Sequence, residues 1–238
     1  MPPRASSGWN VSPLTVDSLI SICKAYSQGV DKRPYRSPRR DQNAAQTRDA
    51  ILDAAEELFA TDGYARTTVS QVAGAAQVAT NTVYTSIGGK PQLVLALAER
   101  GMSDPAIGRS LEGVDAAEGA EEVLRHAARG TGQTARRQFR VITVLYDNAH
   151  ADPLLADMAR NADLRYRRNL DRSVRRLGEL HALRQDVDQA QASDMLWYYF
   201  GWSSWRNLHE MGWTWERAEQ WLLSQAITAL CEPPSPHA

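Results

Sequence analysis

The stretch VSQVAGAAQVATNTVYTSIGGK, Val69 to Lys90, constrains the fold of this chain more than any other. It is small and polar, yet it lies between two segments with the apolar spacing of amphipathic helices. Thr68 and Gln71 have the spacing of a reciprocal capping box, which predicts a helix from Val69 to about Ala76. Ala73, Gly74, Ala75 and Ala76 leave room for another helix to cross closely, with Val72 on the buried side. After a break at Gln77 and Val78, the spacing predicts a second short helix over Thr80–Ser86, anchored by Val78, Val83 and Ile87. Thr80, Thr82, Val83 and Thr85 make a poor helix in isolation, because β-branched side chains lose χ1 freedom against the preceding turn. Neighbours must hold such a helix, and its polar outer face must have another use. Two short helices joined by a tight turn form a helix-turn-helix.

The flanks are consistent with this. TRDAILDAAEELFATDGY places Ile51, Ala55, Leu58 and Phe59 on one helical face, and Gly63 is the expected left-handed stop. After Gly88 and Gly89, Pro91 stands at a first-turn position, and Leu93, Leu95, Leu97 and Ala98 form the next apolar face. Glycines 101, 108 and 113, with Pro105, predict a hinge-like connection over Gly101–Val114 into a second domain. Beyond it there is no convincing strand. Helical periodicity covers about residues 116–129, 133–150, 153–183, 189–211 and 214–231, with turns at GTG (130–132), ADP (151–153), RQDVD (184–188) and Gly212.

The chain has 238 residues, 43% of them hydrophobic, enough for one or two cores and too many for disorder throughout. No run approaches the roughly 18 apolar residues of a membrane span, and LISIC after Asp17 is too short for a signal-peptide core, so no membrane partner and a cytoplasmic location are expected. Cys23 and Cys231 lack zinc or disulfide spacing and read as incidental thiols. His126, His150, His181, His209 and His237 are scattered, with no metal pair and no nucleophile signature; no metal, cofactor or enzymatic activity is expected. Net charge is -1, but Met1–Ala45 holds seven basic residues against three acidic ones, +4, which leaves -5 for the rest. Residues 1–44, with at most one short helix near Leu14–Tyr26, read as a basic, largely disordered extension. Residues 232–238, EPPSPHA, read as a tail.

With ELFATDGYARTTVSQVA, the turn, NTVY, and a glycine and lysine leading into LVLALAERG, the segment from Thr47 to about Gly101 resembles the DNA-binding domain of the TetR family of transcriptional regulators. The resemblance implies an all-α fold: an N-terminal three-helix helix-turn-helix DNA-binding domain (45–101) followed by a larger helical ligand-binding and dimerisation domain (102–231). It implies a ligand-responsive repressor, with a palindromic double-stranded DNA operator and an unknown small-molecule effector as partners. By position, Thr80–Ser86 would be the recognition helix, with Thr80, Asn81, Thr82 and Thr85 in reach of base edges or sugar-phosphate. Tyr84, Lys90, Thr68 and Arg48 would contact phosphates. Asparagine can pair bidentately with adenine, and phosphate contacts position while base contacts specify. The turn carries Gln77, Val78 and Ala79 where the family commonly has glycine, valine and serine, so Thr80 is expected to take over the cap. The alternative, from another class, is a helical protein-interaction module whose helix-turn-helix no longer reads DNA.

The same resemblance implies a homodimer through the last two helices. Trp197, Tyr198, Phe200, Trp202, Trp205, Trp213, Trp215 and Trp221 are too many aromatics for one face, so core and dimer contacts are their expected use ahead of a ligand box. A pocket is expected among the middle helices, near residues such as Phe139, Val144, Tyr146, Met158 and Met195. The arginines of LRYRRNLDRSVRRL, interspersed with Asp163 and Asp171, read as a solvated face.

Overall fold

A computed structural model describes residues 38–231, with side chains from Asp41 onward. The expectations for the arm before residue 38, for Cys23 and for the tail from residue 232 lie outside the described residues. Compactness divides the chain into residues 1–43 and 44–238. Of the first unit only the opening of one helix is described, and the second unit holds the rest of the described fold.

Ten helices are present among the described residues: α1 (Pro38–Thr61), α2 (Val69–Ala75), α3 (Thr80–Ser86), α4 (Lys90–Met102), α5 (Pro105–Ala116), α6 (Ala120–Asn148), α7 (Pro153–Glu179), α8 (Gln189–Phe200), α9 (Trp202–Glu210) and α10 (Trp215–Leu230). Their only bridge of β type is the isolated pair Leu183 and Cys231. The chain is all-α. α1 begins well before the expected Thr47. Gln42 to Gln46 are exposed and show no apolar period, so only the helix propensity of alanine and glutamine marks them. The stop is as expected, with Gly63 at φ 84°.

The hinge expected over Gly101–Val114 is instead mostly helix. Asp104 caps α5 by accepting from the Ala106 N–H at 2.8 Å, and Pro105 takes the first turn. That N–H and then Arg137 hold the Asp104 carboxyl below its usual range. The glycines have a packing reason: a Cβ on Gly101 would run into Gln138, and one on Gly113 into His126. The expected turn at residues 130–132 is likewise absent, since α6 runs unbroken through it. A Cβ on Gly130 would strike Ser110, and one on Gly132 would lie 2.7 Å from the Trp205 ring. Glycine here permits close approach of other elements, worth more than its unfavourable helix propensity of about 1 kcal/mol. Conversely, the single helix expected over 189–211 breaks at Gly201, where ψ of 159° ends α8 and begins α9.

Two cores result. One joins Phe200, Trp205, Leu196 and Leu222 to Leu124 and Leu177. The other joins Ile51, Phe59, Val72, Val83, Leu93 and Leu97 to Val141, Val144 and Leu145 of α6 and to Leu155 and Met158 of α7. α4 thus packs the helix-turn-helix onto the long helices through one shared core. Val144 and Met158, expected near a pocket, are core residues of this junction. The arginines of α7 are on the surface, but most are paired: Arg172 with Asp115, Arg167 with Asp194, and Arg176 with the Ala117 carbonyl. No described helix is long and apolar enough to cross a membrane, and no described cluster of three His, Cys, Asp or Glu side chains is arranged to hold a metal ion.

Candidate nucleic-acid interface

α2 starts as its sequence demands. The Gln71 N–H donates to Thr68 Oγ1 at 3.2 Å, while the Thr68 N–H donates to Gln71 Oε1 at 2.8 Å. Two otherwise orphaned N–H groups are satisfied this way. Thr67, just before, is buried, and its hydroxyl donates to the Gly63 and Leu58 carbonyls, so the turn into α2 is held from inside. The turn between α2 and α3 places Gln77 at φ 55°, a left-handed conformation that a side chain resists by about 1–2 kcal/mol. The Val78 N–H then donates to the Ala73 carbonyl at 3.0 Å, which fixes the crossing of the two helices.

α3 touches the core through one fully buried residue, Val83. Asn81, Tyr84 and Thr85 are exposed, while Thr80 and Thr82 are half-buried. The Asn81 side chain makes no hydrogen bond among the described residues, whereas the Thr85 hydroxyl donates to the Asn81 carbonyl at 3.0 Å. Tyr84 is 55% exposed, so its ring is not a packing element of this chain. The expected cap by Thr80 does not form. Thr80 is the first helical residue, and Ala79 is the N-cap, without a side-chain bond. Thr80 therefore stands one residue too late for its hydroxyl to take the N-cap position.

Arg48 and Lys90 brace the unit. Arg48 Nη1 donates to the Ser86 carbonyl at 3.0 Å and so satisfies the C-terminal end of α3. Lys90 Nζ donates to the Tyr64 carbonyl at 2.6 Å and to that of Ala65 at 3.2 Å, and lies 4.4 Å from the centroid of the Tyr64 ring. Partial burial lowers its pKa. In this structure both cations hold backbone, one behind α3 and the other behind the turn before α2. Tyr64, which packs on Phe59 at 5.4 Å and carries Lys90, was not singled out in the sequence. Its position just after the Gly63 stop was the available signal.

Every polar group on α3 is uncharged, and its exposed side chains offer amide, hydroxyl, methyl and phenol groups on a backbone anchored at Val83. This is the chemistry of base-edge contact, with cations flanking it. Residues 51–97 match the family model described as bacterial regulatory proteins, tetR family. No curated protein matches the chain. Among solved structures, the SmeT–triclosan complex is 19% identical, with a TM-score of 0.63 over 81% of this chain and 99% of that one. NalD, the secondary repressor of the MexAB-OprM multidrug efflux pump in Pseudomonas aeruginosa, is 19% identical, with a TM-score of 0.65 over 81% of this chain and 100% of that one. A Saccharomonospora viridis protein in complex with choline is 18% identical, with a TM-score of 0.66 over 79% of this chain and 100% of that one. These likenesses establish the shared fold, and the family model covers the helix-turn-helix. Residues 51–97 thus carry a helix-turn-helix of the type found in the tetR family of bacterial regulatory proteins, set in an all-helical fold shared with these structures.

Proposed function

We propose that the protein is a repressor that binds a palindromic operator as a homodimer and is released by a small molecule. Residues 45–101 read DNA, and residues 102–231 bind the effector and dimerise. Asn81, Thr82, Thr85 and Thr80 meet base edges or sugar-phosphate, and Tyr84 and the α2 N-terminus at Thr68 meet phosphates. Lys90 and Arg48 leave their carbonyl partners, or share them, to do the same. The observation that carries this reading is Asn81: exposed, without a side-chain partner among the described residues, and on the helix whose one fully buried residue is Val83. No structural task among the described residues uses its side chain.

One helix-turn-helix reads few base pairs, so specificity calls for two copies on half-sites about 34 Å apart. The pairing surface is α8 with α9, and α10. Ser224 and Thr228 are exposed on one face of α10. That similar folds were solved with triclosan and with choline supports a small-molecule effector for this one.

The test is binding of the purified protein to its upstream DNA against scrambled DNA of equal length, with selection from random sequence if the upstream fragment fails. A palindromic preference that Asn81→Ala together with Thr82→Ala abolishes is the expected result. Equal, salt-sensitive binding to all sequences, unchanged by the substitutions, would overturn it in favour of an interaction module.

A further inference from the structure

A cleft of about 660 Å³ opens where α6, α7, α8, α9 and α10 meet. The break at Gly201 shapes it. Interrupting the helix frees the Phe200 carbonyl, which accepts from the Tyr166 hydroxyl at 2.5 Å and from the Trp205 indole N–H at 3.0 Å. The kink is thereby held on the core side, and Gly201, Ser203 and Asn207 line the opening. The walls are aromatic: Tyr146 of α6, Trp197 and Tyr199 of α8, Trp202 of α9 and Trp221 of α10.

Three charged side chains line the cleft, and they do not cancel. Arg167 donates to Asp194 at 3.0 Å and lies over the Trp197 ring, 4.5 Å from its centroid, so its charge is matched. Asp163 has no ion-pair partner among the described residues; the Tyr146 hydroxyl donates to it. Burial and that carboxylate keep the phenol protonated far above its usual range, so Tyr146 stays a donor. The cleft therefore carries one carboxylate without a cation, surrounded by π faces that themselves attract cations.

We propose that this cleft is the effector site and that it takes an organic monocation with an aryl body. The ammonium lies against Asp163, and the aryl group lies between the aromatic walls. Its role as effector site rests on the regulator reading; the binding itself does not.

Calorimetric titration of the full-length protein with phenoxyethyltrimethylammonium, phenoxyethanol and phenoxyacetate tests it, since the three share an aryl ether and differ in charge. The cation is expected to bind at least about tenfold more tightly than the other two, a difference of about 1.4 kcal/mol. Asp163→Asn keeps an oxygen for the Tyr146 hydroxyl and should erase that preference. Asp157→Asn, which alters a carboxylate on the same helix that does not line the cleft, should retain it. Equal or absent binding of all three, or a preference that survives Asp163→Asn in a folded variant, would overturn the proposal. Operator selection without ligand separates the two readings. Selective DNA binding without cation binding removes only the site, and cation binding without DNA selectivity removes only the regulator.

Discussion

Thr68 closes the start of α2 in both directions, and its side chain is exposed, so little besides the cap depends on it. Thr68→Ala is expected to cost about 1 kcal/mol and, for a chain of this length, to lower Tm by about 2–4 °C. Scanning calorimetry checks it, and loss of operator affinity beyond that expected from stability would mark the phosphate contact. Gln77 presents the opposite case. A residue with a side chain holds φ 55° where glycine would meet no steric cost. Gln77→Gly should raise stability by about 0.5–1 kcal/mol, read as a higher urea midpoint with unchanged slope. An unchanged or lower midpoint would mean that the Gln77 side chain supplies compensating contacts.

At the scale of elements, glycines with similar local propensities have opposite roles. Gly132, in the middle of α6, faces the Trp205 ring, and Gly108 of α5 faces open space with nothing within 4 Å of an added Cβ. Gly132→Ala is expected to destabilise by about 1–3 kcal/mol through overpacking, although alanine is the better helix former. Gly108→Ala should stabilise by about 0.5–1 kcal/mol. Thermal melts of the pair decide it, because a propensity explanation alone would move both in the same direction. The α8–α9 break belongs here too. Tyr166→Phe leaves the Phe200 carbonyl with the Trp205 donor alone and should cost about 1 kcal/mol, without changing helix content by circular dichroism.

For the whole molecule, α4 shares one core with α6 and α7. Under the proposed reading, a ligand in the cleft would touch the same long helices, α6 and α7, that carry Val141, Val144, Leu155 and Met158 against Leu93 and Leu97. The proposed release by a small molecule then predicts, by linkage, that operator DNA weakens effector binding by the factor with which the effector weakens operator binding. Dimerisation is tested by substitutions at residues that belong to neither the helix-turn-helix nor the lining of the cleft. Ser224→Arg combined with Thr228→Arg sets charge on the outward face of α10, and sedimentation should then show a monomer. Operator affinity should fall by roughly a hundredfold as the second half-site becomes a separate binding event. A dimer that persists would place the interface elsewhere.

Local, short-range physics was legible in the sequence. The capping box at Thr68 and Gln71, the left-handed stop at Gly63, the weak polar helix on Val83 and the all-helical character all depend on residues within a turn or two of one another. Only the tertiary structure decided the fate of the other glycines. Gly101, Gly113, Gly130 and Gly132 look like breaks along the chain and are points of helix contact in space, whereas Gly201, inside a strong helical pattern, is the true break. The same distinction separates the aromatics. Periodicity cannot tell that Trp205 fills the core, that Trp202 is left with an unmet N–H, or that Tyr146 and Asp163, on different helices, join at one cleft. Those outcomes follow from which helices pack together, a long-range choice that no local pattern encodes.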